Sequence, residues 1–273
     1  MEARGRKMAI AGAFNGTWRR CARLLLAALA GCSCAWQSAI AQSKKGAVPA
    51  VSAEEILKRA DAVRFPQEGF EVGVDIRTSV NGDLKSEGVY KILSKGNENT
   101  LVLTLQPASE RGQILLMKGR DLWVFLPRVS QPVRLSLAQR FVGQVSNGDL
   151  ARANFVGDYT PKLTATEIVE NEALYVLELT AVDRGVTYQR VRYWVRQGNF
   201  WPYKAEFFSL SGRLLKTCRY EDFRRLGGVM RPTTLLMVDA INQGEESRLE
   251  YSDMKLRELP DRVFTKDYLK RLQ

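Results

Sequence analysis

The sequence predicts a mainly β (α+β) fold: an antiparallel meander curled into a barrel or part of one, with short helices inserted in it. Three observations predict it. From Phe70 onward apolar residues recur with a period of two, in runs bounded by turn signals. Between consecutive runs there is no helical stretch long enough to serve as a parallel crossover. A sheet of so many twisted strands does not stay flat, so it curls towards a barrel.

The chain begins with an address. Arg19, Arg20 and Arg23 precede the apolar run Leu24 to Ala30, and Ala39-Ile40-Ala41 places small residues before Gln42. This is the three-part pattern of a secretory signal, read as residues 1–41, and it implies export to the periplasm with cleavage after Ala41. A membrane span needs ~20 apolar residues, and this run is broken by Gly31, Ser33 and Gln37. The tetrad Leu29-Ala30-Gly31-Cys32 also resembles a lipobox, so the exclusive alternative is a lipoprotein anchored to the membrane through Cys32.

That reading changes the electrostatics. The whole chain carries +11, from 41 basic and 30 acidic residues. Without residues 1–41 it has 35 basic against 29 acidic, or +6, and with no nucleic-acid motif this excludes nucleic acid as the expected partner. There is no histidine, which removes histidine-based triads and the usual zinc sites. Only Cys218 survives cleavage, so an intramolecular disulfide is impossible; beside Leu214 and Leu215 it reads as a core residue.

Residues 42–51 form a polar linker. Ser52 caps a helix with Glu54 and Glu55 in its first turn and an apolar stripe of Ile56, Leu57, Ala60 and Val63. Strand runs follow at Phe70 to Val80, Leu84 to Leu93, Thr100 to Gln106, Gln113 to Lys118 and Leu122 to Leu126. They resume at Leu163 to Val169, Leu174 to Ala181, Val186 to Val195, Trp201 to Ser209, Arg213 to Phe223, Met230 to Ala240 and Ser247 to Lys255. Turns such as Asn81-Gly82 and Gly227-Gly228 join them at hairpin spacing. In the fifth run Leu122, Val124 and Leu126 point one way and Trp123 and Phe125 the other, so something must cover the second face.

The domain is expected over 52–273, with an insertion at about 127–161 where the strand rhythm stops. Such excursions are commonly lids or binding segments. Ser136 is placed to cap a short helix carrying Leu137, Phe141 and Val142, and Asn147 or Asp149 to start a turn holding Leu150, Ala151 and Phe155. Two readings stay open: a cover over an apolar hollow, or a plug of ordinary core.

The segment Asp121-Leu122-Trp123-Val124-Phe125-Leu126-Pro127, the basic loop after it, Asn147-Gly148-Asp149-Leu150, and the ending Leu259-Pro260-Asp261-Arg262-Val263-Phe264-Thr265-Lys266-Asp267-Tyr268-Leu269 together resemble the outer membrane lipoprotein-sorting family, relatives of the LolA and LolB carriers. The resemblance implies an unclosed half-barrel with short helices in its opening, covering the concave face, and an apolar cavity that receives acyl chains. No position here is matched to the arginine that holds the lid in the carrier itself. The chain also departs from the family near Asp149, where Ala151-Arg152-Ala153-Asn154 replaces a more acidic, aromatic run.

Apolar burial alone can do such work, at roughly 0.8 kcal/mol per methylene, so no catalytic residue, metal or cofactor is expected. The expected ligands are lipid or lipoprotein acyl chains, an inner-membrane exporter is the expected protein partner, and the chain is expected to be a monomer. Candidate cavity and lid residues are Leu101, Leu103, Leu105, Leu115, Met117, Trp123, Phe125, Phe141, Val142 and Phe155. Arg128, Arg134 and Arg140 are the candidate contacts to headgroups or an acidic partner. Two other classes compete: a non-catalytic accessory of an envelope export machine, and a carboxylate hydrolase using Asp149 with Asp158 or Glu245 with Glu246.

Overall fold

In the computed structural model, residues 51–129 and 131–270 are described; the signal segment, Cys32 and all of the linker but Val51 lie outside them. Helix α1 (Ala53–Arg64) starts where expected, because Ser52 Oγ accepts the Glu55 N–H at 3.1 Å. Glu54 and Glu55 in its first turn complement the helix dipole. At its other end Arg231 donates to the carbonyls of Ala62 and Val63 at 2.7 and 2.9 Å, satisfying two acceptors that the helix itself leaves open.

The strands are β1 (Phe70–Val80), β2 (Asp83–Lys95), β3 (Asn99–Gln106), β4 (Ile114–Lys118), β5 (Asp121–Phe125) and β6 (Val133–Leu135). The excursion holds β7 (Arg140–Val142), β8 (Val145–Ser146) and α2 (Asn147–Ala151). Then come β9 (Tyr159–Val169), β10 (Glu172–Ala181), β11 (Arg190–Arg196), β12 (Pro202–Phe208), β13 (Leu214–Leu226), β14 (Val229–Asp239) and β15 (Glu245–Leu256). A short 3-10 turn (Asp261–Phe264) and α3 (Lys266–Lys270) finish the chain.

Thirteen strands form one antiparallel sheet in the order β6-β5-β4-β3-β2-β1-β15-β14-β13-β12-β11-β10-β9. Two arms therefore meet where the first strand pairs with the last, Ile76 opposite Leu249. The outer strands β6 and β9 are the two ends of the order, so the sheet stays unclosed. The passage from β6 to β9 is the step that leaves the meander, and it must travel from one edge to the other.

Two local expectations are corrected. No helix follows Ser136: its Oγ accepts the Ala138 N–H in a turn, and Phe141 and Val142 lie in β7, paired with β8. Aromatic and β-branched residues favour this hairpin, and Gly143 supplies the positive φ (+50°) of its bend. Residues 186–189, expected in a strand, form a loop before β11, where Tyr188 N–H turns aside to the Tyr159 hydroxyl.

The double-faced strands serve two cores. Val102, Leu115, Met117, Leu122 and Val124 face the concave core with α1. Leu101, Ile114, Leu116 and Phe125 face the convex side, where Leu259, Phe264 and Leu269 cover them. Trp123 joins that outer cluster under the Lys266 ammonium, 4.1 Å from its ring centroid.

Candidate functional site

The excursion packs into the concave core through Leu137, Val145, Leu150, Ala151 and Phe155, all buried. Two glycines permit its closest approaches. A Cβ on Gly143 would collide with Thr78 Oγ1 and Ser247 Oγ, and one on Gly148 with Thr187 Oγ1. The two hydroxyls beneath Gly143 bond to each other at 2.8 Å, and Ser247 Oγ accepts the Gln144 N–H at 2.9 Å.

Three buried carboxylates then fasten this lid. Asp149 accepts from Ser146 N–H at 2.7 Å, Tyr188 hydroxyl at 2.9 Å and Lys216 Nζ at 2.6 Å. Lys216 also donates to the Gln144 carbonyl at 2.5 Å. The same motif is fixed by Asn147 Nδ2 on the Ser136 carbonyl at 2.9 Å and by buried Leu150.

Asp158 binds Arg152 through two nitrogens and Arg120 Nη2 at 2.9 Å, and Arg120 continues to Asp183. Arg152 Nη1 donates to the carbonyls of Asn97 at 2.5 Å and Gly119 at 2.9 Å. Turns of the first arm are thus clasped to the lid and to the start of the second arm.

Asp61 on α1 is the third anchor. Its Oδ2 accepts the Phe155 and Val156 N–H groups, both at 2.7 Å, and its Oδ1 lies 3.4 Å from Arg64 Nη1. Burial raises the Asp61 pKa to about 6, outweighing the opposing pull of Arg64 and the two N–H groups.

The predicted site residues divide between faces, which corrects the expectation that they line one hollow. Leu115, Met117 and Phe155 are in the concave core, and Phe141 and Val142 are half-buried at its margin, Phe141 edge-on to Tyr90 at 5.0 Å. Leu101, Leu103, Trp123 and Phe125 belong to the convex cluster, and Leu105, of the same parity, is exposed. The period-two alternation of a strand makes this division unavoidable.

The hollow itself is filled. Beneath the lid two voids measure about 20 Å³ each, room for about one water molecule, and a pocket of about 210 Å³ opens at the lid's margin between Gln144, Ser146, Tyr188, Lys216 and Asp239. A larger cleft of about 650 Å³ lies beside the Arg152 clasp, but its walls include Gln67, Lys95, Asn97, Glu98 and Arg120, a polar lining unsuited to acyl chains.

The three loop arginines do not converge. Arg134 pairs with Asp121, Arg140 sits 3.7 Å from Asp239 and 3.6 Å from Glu245, and Arg128 is exposed at φ +68°. The carboxylates considered for hydrolysis are engaged as well: Asp149 and Asp158 by cations, Glu245 by Arg140, and Glu246 by the Ser79 hydroxyl. Cys218 is fully buried, and burial pushes its thiol up to about 12.

A family described only as an uncharacterized protein matches residues 96–271. Among solved structures, a LolA superfamily protein from Nitrosomonas europaea is 62% identical, with a TM-score of 0.77 over 80% of this chain and 100% of that one. This chain belongs to the LolA superfamily. The LolA-type fold recurs in a DUF1329 family protein from Desulfovibrio piger, at 22% identity and TM-score 0.70 over 80% of this chain and 97% of that one. It recurs again in a domain from Vibrio parahaemolyticus described as outer membrane lipoprotein-sorting, at 22% and 0.69 over 80% and 98%. These last two show the fold alone. No curated protein matches the sequence. Among the described residues of this LolA-superfamily chain, no helix is long and apolar enough to cross a membrane.

Proposed function

We propose that this protein is an exported carrier or binding protein for lipid or lipoprotein acyl chains, which occupy the concave face when the lid withdraws. The observation that carries the reading is the lid's mode of attachment. Residues 137–156 fill an unclosed sheet and are fastened to it and to α1 through buried side-chain contacts at Asp149, Arg152 and Asp61. A segment held in that way can leave without breaking the thirteen-stranded ladder. Membership of the LolA superfamily and likeness to a lipoprotein-sorting domain support the same reading.

The periplasm is the proposed compartment, reached by cleavage after Ala41, and an inner-membrane exporter the proposed partner. Protein purified gently from cell envelopes should bring lipid with it, read by mass spectrometry of organic extracts. Extracts repeatedly free of lipid would reject the carrier. The filled interior favours one other reading, a non-catalytic accessory of an envelope export machine. An accessory would bind no acyl probe even when the lid is loosened, whereas a carrier would bind it more tightly.

A further inference from the structure

We propose that the closed interior holds a recognition site for the negatively charged end of an amphiphile, formed by Arg64, Tyr193 and Tyr251 and covered by Phe155. The inference rests on the carrier reading and deepens it by naming the ligand class. It begins with three polar atoms that have no hydrogen-bond partner in the described core: Arg64 Nε and the hydroxyls of Tyr193 and Tyr251. Protein interiors leave few such groups unpaired, so three around one cation require an account.

A guanidinium only donates, and burial pushes both phenols up, so they stay protonated and able to donate. Tyr193, Tyr220, Tyr251 and Cys218 all sense the Arg64 charge. The acceptors that the cluster itself offers are neutral phenol oxygens, and the acceptor that suits a cation with neighbouring O–H donors is an anionic oxygen.

Arg64 has one carboxylate near it, Asp61 at 3.4 Å, and that group is shared with the lid N–H groups of Phe155 and Val156. With its pKa raised to about 6, Asp61 takes up a proton more readily than an ordinary carboxylate, leaving the guanidinium less compensated. The Phe155 ring lies over Arg64, 4.3 Å from the guanidinium carbon, and edge-on to Tyr193 at 5.2 Å. Withdrawal of the lid removes that ring and opens the donors to a ligand whose chain follows the footprint of Leu150, Val145 and Leu137.

The test is titration of the purified chain with dodecanoate, dodecyl phosphate and dodecanol, followed by the same titration of Arg64→Gln and of the doubly substituted Tyr193→Phe, Tyr251→Phe protein. The wild type should bind both anions at least about tenfold more tightly than the alcohol, the factor that one charged hydrogen bond supplies. The tyrosine double variant, which keeps both rings and their packing, should lose most of that preference while its affinity for dodecanol is unchanged. Equal binding of alcohol and anions, or a preference that survives both variants, overturns this inference and leaves the carrier reading intact. Binding of none of the three overturns both.

Discussion

Replacing Lys216 with methionine tests whether the lid is fastened by its buried ion pair. The Lys216 and Asp149 side chains are 4% and 7% exposed, and the ammonium bridges two parts of the lid, the Asp149 carboxylate and the Gln144 carbonyl. Removing one member of a buried pair costs about 3–5 kcal/mol, because the other charge is left in a medium that solvates it poorly. Asp149 keeps its Ser146 and Tyr188 donors, so the low end, about 3 kcal/mol, is expected for Lys216→Met. Lys216→Met combined with Asp149→Asn leaves no charge stranded and should cost about 1 kcal/mol, about 2 kcal/mol less than Lys216→Met alone. Urea unfolding gives the totals, and amide exchange followed by mass spectrometry shows where the loss falls. Exchange in 137–156 should rise by about a hundredfold while β1, β14 and β15 keep their protection. A loss under about 1 kcal/mol, or exchange rising evenly over the sheet, would refute the latch.

Three further outcomes follow from the same geometry. The Asp61 pKa rises from 3.8 to about 6 on folding, so the folded state holds this proton more tightly; its contribution is complete below 3.8 and lost as pH rises through 6. That is about 3 kcal/mol, and Asp61→Asn should remove the corresponding slope between pH 4 and 6 in urea unfolding; parallel wild-type and variant curves would count against it. Gly143→Ala meets both a positive φ and two hydroxyls, whereas Gly82→Ala meets a positive φ in open space. Thermal unfolding should therefore show Gly143→Ala costing about 2–3 kcal/mol and Gly82→Ala about 1, and equal losses would mean the lid does not press on Thr78 and Ser247. Phe264→Ala removes a fully buried ring from the convex cluster and should cost about 3–5 kcal/mol without raising lid exchange; faster exchange in 137–156 would show that the two cores are coupled.

Patterning carried the sheet and missed the fastenings. The meander, the first helix and the need for a cover on the convex face were legible, because each follows from a local period of two or 3.6 and from counting apolar faces. Period alone did not assign a face to a hollow, so Leu101 and Leu115 were grouped although their side chains stand on opposite sides of the sheet. The anchors were harder to read because their partners are remote: Asp61 lies 94 residues from Phe155, and Lys216 lies 67 from Asp149. A local trace existed all the same. Asp61 and Arg64 fall on the apolar stripe of α1, and Lys216 shares a strand face with Cys218 and Tyr220, which are buried. Polar residues on an apolar face are the signal that sequence reading passed over. Arg152, noted only as a departure from the family pattern, is the clasp between the two arms.

A filled interior is compatible with a carrier because lid and ligand would be close to equal in apolar burial. Leu137, Val145, Leu150 and Phe155 are each at most 5% exposed, and burying such side chains contributes roughly 1.5–3 kcal/mol each, or about 6–12 in all. A twelve-carbon chain at roughly 0.8 kcal/mol per methylene contributes about 10 kcal/mol. The apolar terms nearly cancel, so exchange of lid for ligand is decided by the polar groups, each fastening carrying a few kcal/mol. An apolar lid needs such polar anchors if it is to close when no cargo is present, and it needs them to be few if cargo is to displace it. Asp61 ties that balance to pH with the sign of its raised pKa: buried under the lid it holds a proton more tightly than an exposed carboxyl does, so falling pH favours the closed form. A lid fastened by apolar contact alone would show no such dependence, so tightening of 137–156 as pH falls through 6, seen in amide exchange corrected for its intrinsic pH dependence and absent in Asp61→Asn, separates the two designs.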